Sequence, residues 1–160
     1  MTSPRPPVQI VGLFETHLTV ANLDASVRFY EELLGLELAY RLQDRHVAFF
    51  WTGRRGCSML GVWEAGSAPN TMRLHVAFAC SLADILNAPA RLRERGVTPL
   101  GFYREPVEEP VVIGWMPAAS LYFRDPDGHL LEYVAMLDDA PRPGVGVVPY
   151  SAWIRIVSEP

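Results

Sequence analysis

Apolar and polar positions alternate along residues 13–20 (LFETHLTV), the two-residue period of a strand with one buried face. The period then changes. In NLDASVRFYEELLG, Val27, Tyr30 and Leu34 recur at helical spacing, Asp24 stands where an N-cap is wanted, and Gly35 suits the position after the last turn. A helix of about ten residues is predicted there. Three strand-like runs follow at residues 37–42, 46–51 and 58–64, and GSAPN at 66–70 has the turn chemistry of a linker.

The same order then restarts. Residues 73–79 (RLHVAFA) read as a strand, and Ser81, with Asp84 in capping-box spacing, opens a helical region that ends at Gly96. Pro89 lies inside it, which predicts a break or kink. Strands are predicted at 98–103, 120–123 and 129–136, whereas the apolar run PVVIGWMPAA at 110–119, with its glycine and two prolines, reads as a covering loop and not a strand. The tail opens with DDAPRPG and later shows SAWIRIV, which predicts an edge strand or a segment lying on a partner subunit. The pattern is therefore βαβββ written twice, with His17 and His75 lying 58 positions apart. The expected organisation is one α+β domain over residues 1–160: module one at about 13–66, module two at about 72–137, and a C-terminal tail at 138–160.

Composition narrows the partners. The chain has 160 residues, 49% hydrophobic and 20% charged, with a net charge of -4 spread over both signs. No basic footprint for nucleic acid and no polybasic membrane patch is visible. No apolar run approaches the roughly 20 residues that span a bilayer, and the opening MTSPRPPVQIVG lacks a secretory signal pattern. Cys57 and Cys80 have no metal-finger spacing, so a reduced, cytoplasmic protein is expected.

One residue asks for an explanation. Glu132 sits in the middle of the apolar strand that follows the DPDG turn, and a buried carboxylate is costly unless a cation or hydrogen bonds meet it. His17 and His75 occupy the first strand of each unit, His17 on a face with Glu15 and Thr19, His75 on a face with Ala77. A lone histidine or glutamate in a strand is ordinarily a core or surface residue. If a pseudo-twofold relates the units, however, the two imidazoles face each other and Glu132 completes a ligand set for Zn, Mn, Fe, Ni or Co with open positions for substrate.

The blocks HLTVANLDASVRFYEELLGLEL, LHVAF and YFRDPDGHLLEYVA, spanning about residues 13 to 137, resemble the vicinal oxygen chelate superfamily of glyoxalase I, fosfomycin-resistance enzymes, extradiol dioxygenases and bleomycin-resistance proteins. The resemblance implies paired βαβββ modules whose curled mixed sheets form a cup around one divalent metal held by His17, His75 and Glu132. It also implies chelation of two neighbouring substrate oxygens, with the metal as Lewis acid, and a homodimer. Departures separate the members. Glyoxalase I has a fourth ligand, a Glu in the last strand of module one; aligning Gly56 with Gly128 puts Leu60 opposite Glu132, unless Glu64 reaches in. Thr19 and Tyr122, the latter ten residues before the Glu, match the fosfomycin-type pattern, but the phosphonate-binding Lys has no counterpart, because the chain contains no lysine. Extradiol dioxygenases share the tyrosine and add an acid–base histidine, for which only His46 and His129 are on offer; His129 reads better as a surface residue at the end of a turn. Bleomycin-resistance proteins usually lack the triad. Trp51, Trp63 and Trp115 read as core or pocket wall, and Arg142 as a solvated tail residue. The expected function is a metal-dependent enzyme acting on a small oxygen-rich molecule by lyase, isomerase or epoxide-opening chemistry, with Tyr122 as hydrogen-bond or proton donor. The alternatives are an Fe(II) extradiol-type dioxygenase and a non-catalytic module that sequesters a compound.

Overall fold

A computed structural model describes residues 12–65 and 73–159. The linker expected at 66–70 lies outside the described residues. The chain divides into two compact units at residues 67/68, and each is an α+β layer with its own sheet.

In the first unit the sheet order is β1-β4-β3-β2, formed by β1 (Glu15–Val20), β2 (Glu37–Leu42), β3 (Val47–Trp51) and β4 (Met59–Glu64). The first and last strands run parallel as neighbours, and the other pairs are antiparallel. Helix α1 (Leu23–Arg28) continues as a wider π turn over Phe29–Leu33. Its cap is Asn22, not Asp24: the Asn22 side chain accepts from the Ala25 amide at 2.8 Å. Asp24 lies one turn in, where it takes Arg41 of β2 at 2.6 Å. Gly35 ends the segment at φ +68, a backbone region that β-carbon sterics discourage. Leu23, Val27 and Tyr30 are buried, as are Leu18, Val20, Phe50, Leu60 and Val62 of the sheet. These residues are the unit's core.

The second unit repeats the order. β5 (His75–Ala79) lies parallel to β8 (Leu130–Met136), followed by β7 (Ala118–Arg124), β6 (Val111–Ile113) and β9 (Val147–Pro149). Helix α2 (Leu82–Glu94) is capped by Ser81, whose hydroxyl accepts the Asp84 amide at 3.1 Å. No break occurs at Pro89. The helix runs through it, because Ile85, Ala88, Pro89 and Leu92 are buried on the face that meets β7 and β8. That burial outweighs the ~3 kcal/mol an interior proline costs.

Two expectations fail here for physical reasons. Residues 98–103 form no strand; Leu100 alone exchanges backbone hydrogen bonds with Tyr122, and the chain then turns at Gly101–Glu105 with Arg104 at φ +73. The run at 110–119 is no loop, since Val111–Ile113 is strand β6 and β7 begins at Ala118. All three β6 residues are buried, so the alternation that marks a half-exposed strand is absent there. The tail does add an edge strand, but it is β9; SAWIRIV belongs to helix α3 (Tyr150–Ser158). Gly114 lets the tail approach: a β-carbon there would stand 2.7 Å from the Arg142 carbonyl and 2.9 Å from that of Gly146. Trp153 of α3 is fully buried and donates to Asp139 at 2.8 Å. No helix among the described residues is long and apolar enough to cross a membrane.

Trp153 makes the tail part of the core. Trp153→Ala is expected to lower unfolding stability by about 3–5 kcal/mol, measured by urea denaturation, while Ile154→Ala, on the exposed side, should cost under about 1 kcal/mol. Equal effects of the two changes would show that α3 is not packed as described.

Candidate metal centre

The parallel pairing of first and last strand builds one side-chain pair in each unit. In the second unit His75 aligns with Leu130 and Ala77 with Glu132, so His75 and Glu132 are diagonal neighbours on one face. Their side chains meet, Nε2 to Oε2 at 3.1 Å. His75 Nδ1 lies 3.2 Å from the Leu130 carbonyl. A carbonyl only accepts, so Nδ1 carries the proton. At 3.1 Å a proton or a metal ion lies between Nε2 and the carboxylate. Glu132 is buried, its side chain only 9% exposed against 47% for His75.

Tyr122 joins this pair through the β7–β8 hairpin. Its spacing of ten residues before Glu132 is the hairpin register, which places the two directly opposite each other. The ring stands 6.1 Å from that of His75, and the Arg104 guanidinium lies 5.2 Å from its centre. Burial, with the nearby Glu132 charge as the second cause, pushes the Tyr122 phenol up to about 12. The group is a proton donor at neutral pH and not a base.

In the first unit His17 aligns with Gly61 and Thr19 with Trp63. A β-carbon on Gly61 would stand 3.3 Å from the His17 ring and 3.2 Å from Phe49, so the glycine makes room for the imidazole. Trp63 stacks on His17 with centroids 5.8 Å apart, and its indole N–H donates to His17 Nδ1 at 2.6 Å. His17 Nε2 faces Glu15 Oε1 at 3.3 Å. These partners assign the proton to Nε2.

The register corrects the equivalence drawn through Gly56 and Gly128. Glu132 follows the partner of His75 by two residues, and in the first unit that place belongs to Trp63, three residues beyond Leu60. Leu60 is fully buried in the core, on the opposite face. Glu64 does not reach in either: its Oε2 accepts the Leu23 amide at 3.2 Å, supporting the start of α1.

The remaining candidates have structural duties. His129 is buried, contrary to the surface reading; its Nδ1 accepts the Leu74 amide at 3.1 Å, and its own amide reaches Asp125 Oδ1 at 2.8 Å. His46 lies in the β2–β3 turn at φ +50, its side chain 69% exposed. Arg142 donates to the Ile156 carbonyl of α3 at 2.9 Å. Trp115 is exposed. Sequence reasoning passed over the Trp63 bond and the placement of Arg104, since nothing in a linear pattern marks a contact across 46 positions.

The donors in the second unit suit a divalent ion. One imidazole nitrogen with a lone pair available and one buried carboxylate oxygen sit 3.1 Å apart, the separation of adjacent ligands that each lie about 2.1 Å from one metal. The Leu130 carbonyl on Nδ1 is the outer partner that ligating histidines ordinarily have. Among the described residues no three His, Cys, Asp or Glu side chains come together as a metal-holding group.

Comparison with known proteins agrees with this geometry. Residues 12–133 match the family described as the Glyoxalase/Bleomycin resistance protein/Dioxygenase superfamily. A metallothiol transferase, FosB, of Shouchella clausii (strain KSM-K16) is 30% identical over 129 residues, covering 76% of this chain and 77% of that protein. Among solved structures, an integron cassette protein from the mobile metagenome of the Halifax Harbour sewage outfall is 35% identical at a TM-score of 0.69, covering 79% of this chain and 100% of the other. Lactoylglutathione lyase from Agrobacterium tumefaciens is 25% identical at a TM-score of 0.59, covering 82% and 96%. With two βαβββ units in the same strand order and a match running through both, the chain belongs to the glyoxalase/bleomycin resistance protein/dioxygenase superfamily.

Proposed function

We propose that the protein is a divalent-metal-dependent enzyme that adds a small thiol to an oxygen-rich electrophile, the epoxide-opening branch of the chemistry open to its superfamily. The observation that carries this reading is the His75–Glu132 pair, Nε2 to Oε2 at 3.1 Å, with protonated Tyr122 directly across the hairpin. The metallothiol transferase relative supports the transfer class. Trp63 at the register place of a fourth ligand speaks against glyoxalase chemistry, because an indole neither ligates nor takes a proton. The extradiol alternative is left without a free acid–base histidine near Tyr122, since His129 is committed to Leu74.

His75 and Glu132 would hold the ion. When bound, it supplies a Lewis acid and a template for neighbouring substrate oxygens. The protein's own groups do the rest. As the thiolate sulfur bonds to carbon, the carbon–oxygen bond breaks and its electron pair stays on oxygen. Tyr122 gives that oxygen its proton in this reading, which its phenol, protonated until about pH 12, supports. Arg104 favours a substrate that also carries negative charge.

After chelation and metal restoration, the native protein is expected to take up about one divalent ion per chain, measured by elemental analysis and calorimetry. His75→Ala and Glu132→Gln should each weaken binding by about a hundredfold or more, beyond the 10–100-fold of losing an outer partner. Unchanged metal content in both variants rules the assignment out. Turnover is read with small epoxides and cysteine under each restored metal; oxygen uptake with a catechol would favour the dioxygenase alternative, and tight compound binding without metal would favour sequestration.

Tyr122→Phe should keep the metal and lose about 10²-fold or more in kcat. Tyr122 is also a stability probe. Its folded pKa of about 12 lies above the ordinary tyrosine value of about 10, so the unfolded chain releases this proton first and stability falls as pH rises from 10 to 12. That loss should be smaller in the Phe variant.

A homodimer is the proposed assembly. Light scattering should give about twice the 17.9 kDa chain mass, and a value equal to one chain excludes it.

A further inference from the structure

We propose that the groove between residues 103–109 and β9 binds a small organic cation, an ammonium group on an apolar body. The site lies within the second unit, and the inference rests on neither a metal ion nor the activity proposed above.

Size, floor and charge carry it together. The groove encloses about 250 Å³, just under the roughly 300–1,000 Å³ of sites that take drug-sized ligands, which fits a smaller molecule. Its floor is apolar, made by Val107, Val111, Val147 and Val148. Val111 and Val147 are packed in one cluster with Tyr122, so that floor is held from beneath. The charged lining is of one sign: Glu105, Glu108 and Glu109, with no arginine or histidine among the lining residues. Of these three, only Glu108 meets a cation among the described residues, Arg93 at 2.8 Å. Glu109 accepts the amide and the hydroxyl of Ser151 at 2.8 and 2.7 Å, neutral donors that fix the carboxylate and leave its charge in place. Glu105 has neither hydrogen bond nor ion pair among the described residues. Its carboxylate folds over Gly101, where a β-carbon would collide with it. Two negative charges thus stand uncompensated beside an apolar surface. An anion is repelled there, a neutral apolar molecule leaves the carboxylates unmet, and a hydrated metal ion gains nothing from the valines. A cation with an apolar body satisfies both. Tyr103, 74% exposed at the rim, adds an aromatic ring for an ammonium group to lie against.

The test uses the full chain in low-salt buffer with EDTA, which keeps divalent ions out, and three probes of similar shape: phenethylamine, 2-phenylethanol and 3-phenylpropionate. In NMR titrations of the native chain the amine should bind about tenfold or more tightly than the alcohol, and the carboxylate should not bind. The amine's affinity should fall as salt is added. Glu105→Gln should weaken amine binding about fivefold, and Tyr103→Leu about threefold. Glu31→Gln, a change at an exposed acid of the first unit, should leave it unaltered. Equal binding of amine and alcohol by the native chain overturns the proposal, and that comparison needs no variant to fold. Unchanged affinity in Glu105→Gln overturns it as well, as does an equal loss in Glu31→Gln, which would be a response to net charge alone. If the native chain binds no amine and Val148→Asp converts a dimer to single chains in light scattering, the groove belongs to a second copy of this chain and the proposal fails.

Discussion

Everything distinctive about this protein depends on one pairing used twice: the first strand of each unit lies parallel to its last. Hairpins alone would place neighbours in sequence side by side. The parallel step instead brings residues 46 positions apart into contact in one unit and 57 in the other. It needs a crossover, and the helix between first and second strand supplies it, packed by Leu23, Val27 and Tyr30 in one case and Ile85, Ala88 and Leu92 in the other. The hydrophobic pattern of α1 and α2 therefore aligns the histidines with their partners, although neither helix contributes a residue to the pairs.

The opening puzzle of a carboxylate in an apolar strand has a local answer. Glu132 is buried at the one point where His75 Nε2 reaches it and Tyr122 stands across the hairpin. Its charge in turn helps keep the phenol protonated. A buried ionisable group of this kind is retained only if its neighbours are fixed, and they are: His75 by the Leu130 carbonyl, the turn before β8 by Asp125, whose carboxylate accepts the amides of Asp127 and His129.

How far the sequence could be read follows the same physics. Periodicity recovered the βαβββ order and its repeat, helped by strands with a dry and a wet side such as β1, where Leu18 and Val20 are buried and Thr19 between them is exposed; it also bounded β2 to the residue. It failed where that contrast is missing. Val111–Ile113 is dry on both faces, and Trp153 sits in a tail whose helix is amphipathic only once β6 and β9 exist to receive it. Tyr122 was singled out through the family pattern, and its spacing from Glu132 is a hairpin register; His75 and Glu132, 57 positions apart, meet through a parallel pairing that no local spacing marks. The partner of His17 was not legible. Glycines were the wrong anchors for that comparison: Gly56 and Gly128 both have positive φ, but the loops they end differ in length, and only hydrogen-bond pairing across β1 and β4 fixes which residue stands beside the histidine.

Gly61 limits the paths by which this first unit can change its chemistry. On the face of β4 that His17 shares, the positions are Met59, Gly61 and Trp63. The middle one is closed to every other amino acid unless Phe49 or the imidazole gives way, because the space a side chain would need is already filled by their rings. Side-chain change beside His17 on this strand is thereby left to the other positions of that face, Met59 and Trp63.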